Sequence, residues 1–219
     1  MTIDPADLAR KLYTAVLSDV LDEMGFMNQA LRSFVRPLDD AFVMCGFART
    51  GLYGPVYAVE PGRNPYELEM DLVDGLKPGE VCVLACGGPT ERIAPWGELL
   101  STAARVRGAA GCLTDGLVRD VRQIRAMGFP VFCGGIGPLD TKGRAEMTAM
   151  DVPVEVAGVR VETGDLIFGD VDGCVVVPRS ITAEAVARAL DKVSAEDRTR
   201  DALLEGASLR EVFARFGVL

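Results

Sequence analysis

Near the start of the chain, apolar positions recur at helical spacing: Leu8, Leu12, Ala15, Val16 and Val20 follow Asp4-Pro5, an N-cap with proline in the first turn. The pattern predicts a helix that restarts at Ser18 and closes at Gly25. Residues 42–59 are β-branched, aromatic and punctuated by glycine, which predicts two short strands. Asn64-Pro65 opens a second helix through Leu68, Leu72 and Val73 to Gly75, and a turn at 77–80 precedes a buried strand at 81–86. A Gly/Pro-rich loop, 87–97, runs into a helix over 98–106, and a strand at 110–114 leads into Asp115-Gly-Leu-Val-Arg-Asp120. That hexapeptide opens a helix ending near Gly128, followed by a strand at 130–133 and short strands over 153–177. A helix over 182–204 precedes Ser208-Leu-Arg-Glu211, a capping box that opens the last helix. This tail is apolar on one face and charged on the other, so it either folds back on its own domain or reaches another subunit. Alternating helices and strands without a repeat or linker predict an α/β or α+β domain.

Composition narrows the picture. The 219 residues are 49% hydrophobic but only 6% aromatic, so the core is expected to be built from Val, Leu, Ala and Met. A net charge of −9 and a pI near 4.7 exclude a broad cationic footprint, so no nucleic-acid partner is expected. No apolar run approaches the ~18 residues of a membrane span, and Met1–Asp7 lacks the basic and apolar regions of a secretory leader. A cytoplasmic protein with no membrane partner is the expectation. The six cysteines lie in or beside apolar runs without a CxxC pair, as buried reduced thiols do.

The chain contains no histidine. That removes Ser-His-Asp and Cys-His catalysis, HExxH zinc sites and any imidazole base or ligand. Lys11 and Lys192 fall in predicted terminal helices, Lys77 in a turn and Lys142 in a loop. None sits in an apolar strand, where desolvation would prepare an amine for Schiff-base work. A divalent cation is then the natural electron sink for carbanion chemistry. In Asp115–Asp120, two carboxylates and an arginine stand at a strand-to-helix junction. They suit either a hard cation and a substrate carboxylate, or an ordinary helix start with Asp120 on the dipole and Arg119 solvated. In Trp96-Gly-Glu-Leu-Leu100 a helix begins directly after glycine, which frees its first N–H groups for an anion or simply lets Leu99 and Leu100 pack.

Taken together, Glu98, twenty residues, then Arg119-Asp120 resembles the acidic-x20-Arg-Asp motif of the RraA-like family. Members of that family include class II pyruvate aldolases acting on 4-hydroxy-4-methyl-2-oxoglutarate and 4-carboxy-4-hydroxy-2-oxoadipate. Other segments resemble family signatures in family order: Ser18–Asp22, Leu76–Glu80, Gly128–Phe132, Thr141–Arg144, Gly164-Asp165 and Asp170–Pro178.

The resemblance implies an α/β fold, the swivelling β/β/α domain, over residues 1–180. It also implies a C-terminal helical extension, 181–219, at a subunit interface of a homotrimer or homohexamer. On the same footing, Asp120 is the ligand of Mg²⁺ or Mn²⁺, and Arg119 binds the pyruvyl group of a small 2-oxo acid. The amides of Gly97, Glu98, Leu99 and Leu100 cradle its carboxylate, and Glu98 orders water on the metal. Lys142 flanks the site, and Glu196 is the candidate carboxylate from a neighbouring subunit. The implied reaction is carbon–carbon cleavage to pyruvate, with oxaloacetate decarboxylation as a related activity. The alternative implied by the same family is a non-catalytic regulator of ribonuclease E, or an oligomeric scaffold.

Overall fold

The computed structural model describes residues 3–218, so Met1, Thr2 and Leu219, the ends of two segments read above, lie outside the described residues. In chain order the elements are α1 (Pro5–Lys11), α2 (Thr14–Glu23), β1 (Arg36–Pro37), β2 (Met44–Pro55), α3 (Glu67–Asp74), β3 (Glu80–Ala85) and α4 (Glu98–Val106). They continue with β4 (Gly111–Thr114), β5 (Leu117–Val118), α5 (Val121–Met127), β6 (Val131–Cys133), β7 (Gly135–Ile136) and β8 (Ala145–Met150). The C-terminal part comprises β9 (Val154–Val156), β10 (Val159–Val161), β11 (Leu166–Asp170), β12 (Gly173–Val177), α6 (Thr182–Leu204) and α7 (Leu209–Phe216).

The main sheet runs β1-β6-β4-β3-β2-β11-β12, with β8 also on β2. Its centre, β2-β3-β4-β6, is parallel, and its flanks are antiparallel. One face packs against α3, α4 and α5 around Trp96, Leu72 and Ile124. The β9-β10 hairpin contributes Val154, Val156, Val159 and Val161 to a second cluster. A third joins Leu17 and Leu21 of α2 to Ala185 and Val186 of α6 and to Phe168.

Two expectations are corrected here. The first break in helix falls at Leu12-Tyr13, and Ser18 lies inside α2. The cause is remote in sequence: Asp170 accepts the Thr14 N–H at 2.8 Å and the Thr14 hydroxyl at 2.5 Å, which fixes a new helix start. Residues 44–55 form one strand rather than two. Its glycines mark close approach instead of turns: a Cβ at Gly46 would meet the Gly79 carbonyl oxygen at 2.5 Å, and one at Gly51 the Met147 Cε at 2.8 Å. One edge of β2 pairs with β3, while the other pairs first with β11 and then with β8 across an irregularity at Leu52/Tyr53.

All six cysteines are free thiols, and five are buried. Burial pushes Cys45 up to about 12 and Cys133 up to about 11, so these are packing residues rather than nucleophiles.

The capping box at Ser208 forms as expected, with the Ser208 hydroxyl accepting from the Glu211 N–H and Glu211 accepting from the Ser208 N–H. Helix α6 folds back on α2, where Lys192 donates to Glu23 at 2.9 Å and pairs with Asp19 at 3.1 Å. Burial alone would lower the Lys192 pKa, but these two carboxylates raise it above the usual 10.5. A raised folded-state value means the contribution is complete below about pH 10.5 and fades as pH rises through the folded value. Lys192→Gln should therefore destabilise by about 0.5–1 kcal/mol at pH 7. In pH-resolved thermal melts, the gap from the native chain should shrink only in strongly alkaline buffer.

Candidate active site

The short strand β5 organises the site by standing between two chain segments. On one side Leu117 N–H bonds the Ile93 carbonyl at 3.1 Å and Arg119 N–H bonds the Trp96 carbonyl at 3.0 Å, bringing 93–97 alongside. On the other side β5 pairs in parallel with β7, and Gly137 N–H bonds the Val118 carbonyl at 3.1 Å. Arg119 and Asp120 leave the end of β5 into a cavity of about 330 Å³ between the start of α4, the 138–141 loop and α3. Sequence positions twenty residues apart thus meet because one strand ends between them.

Asp120 holds a left-handed backbone, φ 59°, immediately before α5. Asparagine and aspartate tolerate this region better than other side chains, at a cost of about 1 kcal/mol. Its carbonyl starts the helix, accepting from Gln123 and Ile124, but its carboxylate makes no cap. Instead Asp120 Oδ2 points back at α4, 3.3 Å from the Glu98 N–H and 3.9 Å from Arg119 Nε. The Asp120 carboxylate thus caps α4 rather than α5, while Arg119 stays 40% exposed with two carboxylates within 4 Å.

Gly97 is the N-cap of α4. The first intrahelical bond runs from Ser101 N–H to the Gly97 carbonyl, which leaves the Leu99 and Leu100 N–H groups without a carbonyl in the helix to bond. Both residues line the cavity; Leu99 is 78% exposed, whereas Leu100 is half-buried and packs against the first core cluster. Trp96 fixes the start of α4 from behind, donating from Nε1 to Ser101 Oγ at 2.8 Å and stacking on Phe129.

Gly97, Leu99, Leu100, Arg119 and Asp120 are brought together around one cavity. Glu98 contributes its backbone, while its carboxylate accepts from Thr102 at 2.9 Å one turn along the helix and is not part of the cavity wall. Lys142 is exposed beside the wall residue Thr141 and does not itself line the cavity. Glu196 lies elsewhere in the chain, in a groove with Tyr13, Asp19 and Leu209, where burial raises its pKa. Asp115 is also remote in function. It is buried and accepts from the Cys86 and Gly88 N–H groups, each at 2.7 Å, so it shapes the 86–88 loop rather than the cavity.

Three titratable cavity residues escaped the sequence reading: Tyr66, Glu69 and Asp140. Asp140 accepts the Tyr66 hydroxyl at 2.6 Å and the Thr141 N–H at 2.8 Å, and its Oδ1 lies 3.6 Å from Arg119 Nη1. Burial opposes its ionisation, yet those donors and the guanidinium hold its carboxyl below the ordinary range. Burial and the Asp140 carboxylate push the Tyr66 hydroxyl up to about 12, so it stays a donor. Glu69, buried on α3, accepts the Tyr53 hydroxyl, and burial raises its pKa. One signal was available: Glu69, Leu72 and Val73 share the buried face of α3, and an acid on such a face calls for a reason.

The chain is thus an α/β protein with an acid-and-arginine pocket at a helix N-terminus. The RraA-like family pattern, Aldolase/RraA, matches residues 14–176, and the chain belongs to this family. A protein of Halalkalibacterium halodurans named "Putative 4-hydroxy-4-methyl-2-oxoglutarate aldolase" is 34% identical over 193 residues, covering 88% of this chain and 84% of that one. Protein DlpA of Legionella pneumophila is 29% identical over 90% of this chain, which spans only 31% of that longer protein. Among solved structures, Streptomyces coelicolor RraAS2, described as an unusual member of the RNase ES inhibitor RraA protein family, superposes with a TM-score of 0.77. It shares 28% identity, over 91% of this chain and 98% of that one. The fold is thus the α/β fold of RraA-like proteins. Among the described residues, no helix is long and apolar enough to cross a membrane.

Proposed function

We propose that the chain is a divalent-metal-dependent lyase that cleaves a 4-hydroxy-2-oxo acid to pyruvate. The observation that carries this reading is the Asp120 carboxylate, held on a left-handed backbone and turned from its own helix toward Arg119 and the Glu98 N–H at the start of α4. Family membership and the name of the Halalkalibacterium relative support it.

The donor set fits a hard cation. Among the described residues no cluster of three or more acidic or thiol ligands exists, so Asp120 would hold the ion with water completing its shell, as Mg²⁺ or Mn²⁺ accepts. Bound there, the ion would supply electrophilic charge to the substrate's keto oxygen. The Leu99 and Leu100 N–H groups and Arg119 bind the carboxylate of the pyruvyl end. As the C3–C4 bond breaks, its electron pair passes into the developing enolate, which the Arg119 guanidinium stabilises. The C4 hydroxyl becomes a carbonyl and gives up its proton to water near Glu98, in a chain without imidazole. Protonation at C3 then yields pyruvate. Loss of carbon dioxide from oxaloacetate would use the same enolate. The assembly that accompanies this reading is a trimer or pair of trimers, with Glu196 entering from a neighbouring subunit.

The test is a lactate dehydrogenase-coupled screen of 4-hydroxy-2-oxo acids and oxaloacetate, with Mg²⁺, with Mn²⁺ and with EDTA. Pyruvate release that EDTA abolishes and either metal restores is the expected result; release untouched by EDTA would sink the mechanism. The similarity to RraAS2 favours a second reading, a protein-binding regulator. It predicts partner capture that survives both EDTA and Asp120→Ala.

A further inference from the structure

The reaction proposed above leaves one proton without a source: the one that C3 of the enolate takes up as pyruvate forms. Glu69 is a buried acid that the reaction has not yet used. It stands on the buried face of α3, lines the cavity and is 9% exposed. Tyr53 of β2, itself buried, donates its hydroxyl to Glu69 Oε2. No donor among the described residues reaches Oε1, and no buried side-chain oxygen among them lacks a hydrogen-bond partner, so Oε1 keeps an opening to the cavity. The carboxyl is thus tied at one oxygen and free at the other. Burial raises its pKa against the opposing donation from Tyr53, so it holds a proton more readily than a surface glutamate. Its neighbours in the wall are committed otherwise. Tyr66, the Thr141 N–H and Arg119 keep Asp140 below the ordinary range, and the Tyr66 proton is shared with Asp140.

Resting on the lyase reading for the reaction itself, we propose that Glu69 is a catalytic residue that carries the C3 proton. Once the C3–C4 bond has broken, the C2–C3 π pair of the enolate forms the new C3–H bond and C2 regains its keto group. The Glu69 O–H bond breaks with its electron pair left on oxygen. The carboxylate then recovers a proton from the water that received the C4 hydroxyl proton, so the cycle neither gains nor loses one. Run backwards, the same carboxylate removes a proton from the methyl group of bound pyruvate. A carboxyl in this role stands in for the imidazole that the chain lacks.

Proton NMR of the full chain in D₂O with Mg²⁺ follows exchange of the pyruvate methyl protons for deuterium, beside a thermal melt of each variant. The native chain should exchange them. Glu69→Gln, which can still accept the Tyr53 hydroxyl, should slow exchange by about 10²-fold or more, while the pyruvate concentration at half-maximal rate moves by less than about twofold. Glu69→Asp keeps the carboxyl but draws it back by one carbon, and should recover part of that loss. Where Glu69→Gln melts well below the native chain, Glu69→Asp decides alone: slower exchange at unchanged half-saturation is expected, and native exchange overturns the proposal. Exchange in a folded Glu69→Gln within about threefold of native also overturns it, and a loss in Glu196→Gln would then give the step to a neighbouring subunit. So does a loss matched by an equal loss of pyruvate affinity, which would make Glu69 a binding residue only. A native chain that releases pyruvate without exchanging its methyl protons overturns this proposal alone; one that does neither overturns the lyase reading with it.

Discussion

Asp120→Asn is expected to lower pyruvate release by about 10³-fold, on the order of 4 kcal/mol of transition-state stabilisation, while leaving the fold intact. Asparagine matches aspartate in size and tolerates the left-handed backbone at φ 59°. The Gln123 and Ile124 N–H bonds go to the main-chain carbonyl of residue 120 and do not depend on its side chain. What changes is the charge. An amide offers a hard cation one weak neutral oxygen, and its NH₂ would face donors at the Glu98 N–H and Arg119. Asp120→Gly sharpens the comparison. It removes the cost of holding an L-residue in this region, about 1 kcal/mol, and should be as inactive yet at least as stable. Coupled assays with thermal melts on both variants read this directly. Metal-dependent turnover that persists in either would remove Asp120 from the reaction.

Much of the fold was legible because its signals are local. Asp4 and the Ser208–Glu211 box each satisfy helix amides within a few residues, and these helices, like the one after Gly97, begin where the local signal stands. The misplaced break near Ser18 and the undivided β2 have the opposite character. One depends on Asp170, 156 residues from Thr14, and the other on glycines that admit Met147 and the Gly79 carbonyl. The strand β8 went unread because Ala, Glu and Met favour strands weakly, although Ala145–Ala149 alternates, and its register comes from β2. The site divides in the same way. Gly97 to Leu100 and Arg119-Asp120 are contiguous segments with a recognisable spacing, and the chain brings them to one cavity. The Tyr66–Asp140 bond joins residues 74 apart, from a turn and a loop with no distinguishing pattern. Asp115 failed for a physical reason as well: its carboxylate is buried away from the cavity and accepts from the Cys86, Gly88 and Ala157 amides.

Gly97→Ala should cost about 10²-fold in kcat/KM, although residue 97 carries no functional side chain. Its backbone, φ −155° and ψ −169°, is extended and open to alanine, so conformation is no obstacle. The obstacle is space: a Cβ would lie 2.8 Å from Asp120 Oδ2, 3.1 Å from Arg119 Cγ and 3.3 Å from Arg119 Nε. Both side chains must yield, and both hang from backbone pinned by the Arg119 N–H to Trp96 carbonyl bond and by the start of α5. The new methyl therefore moves the carboxylate and the guanidinium together, away from the α4 amides they face. Displacements below 1 Å at a positioned group are enough for losses of this size. Stability should fall by about 1 kcal/mol, because alanine is a poorer N-cap than glycine while the displaced neighbours are half-exposed side chains that can yield. Mn²⁺ titration followed by water-proton relaxation separates the two effects. Weakened Mn²⁺ binding in a folded Gly97→Ala chain is the expected result. Native Mn²⁺ affinity with native turnover would mean that the Asp120 carboxylate stands outside the reacting centre, whatever its backbone suggests.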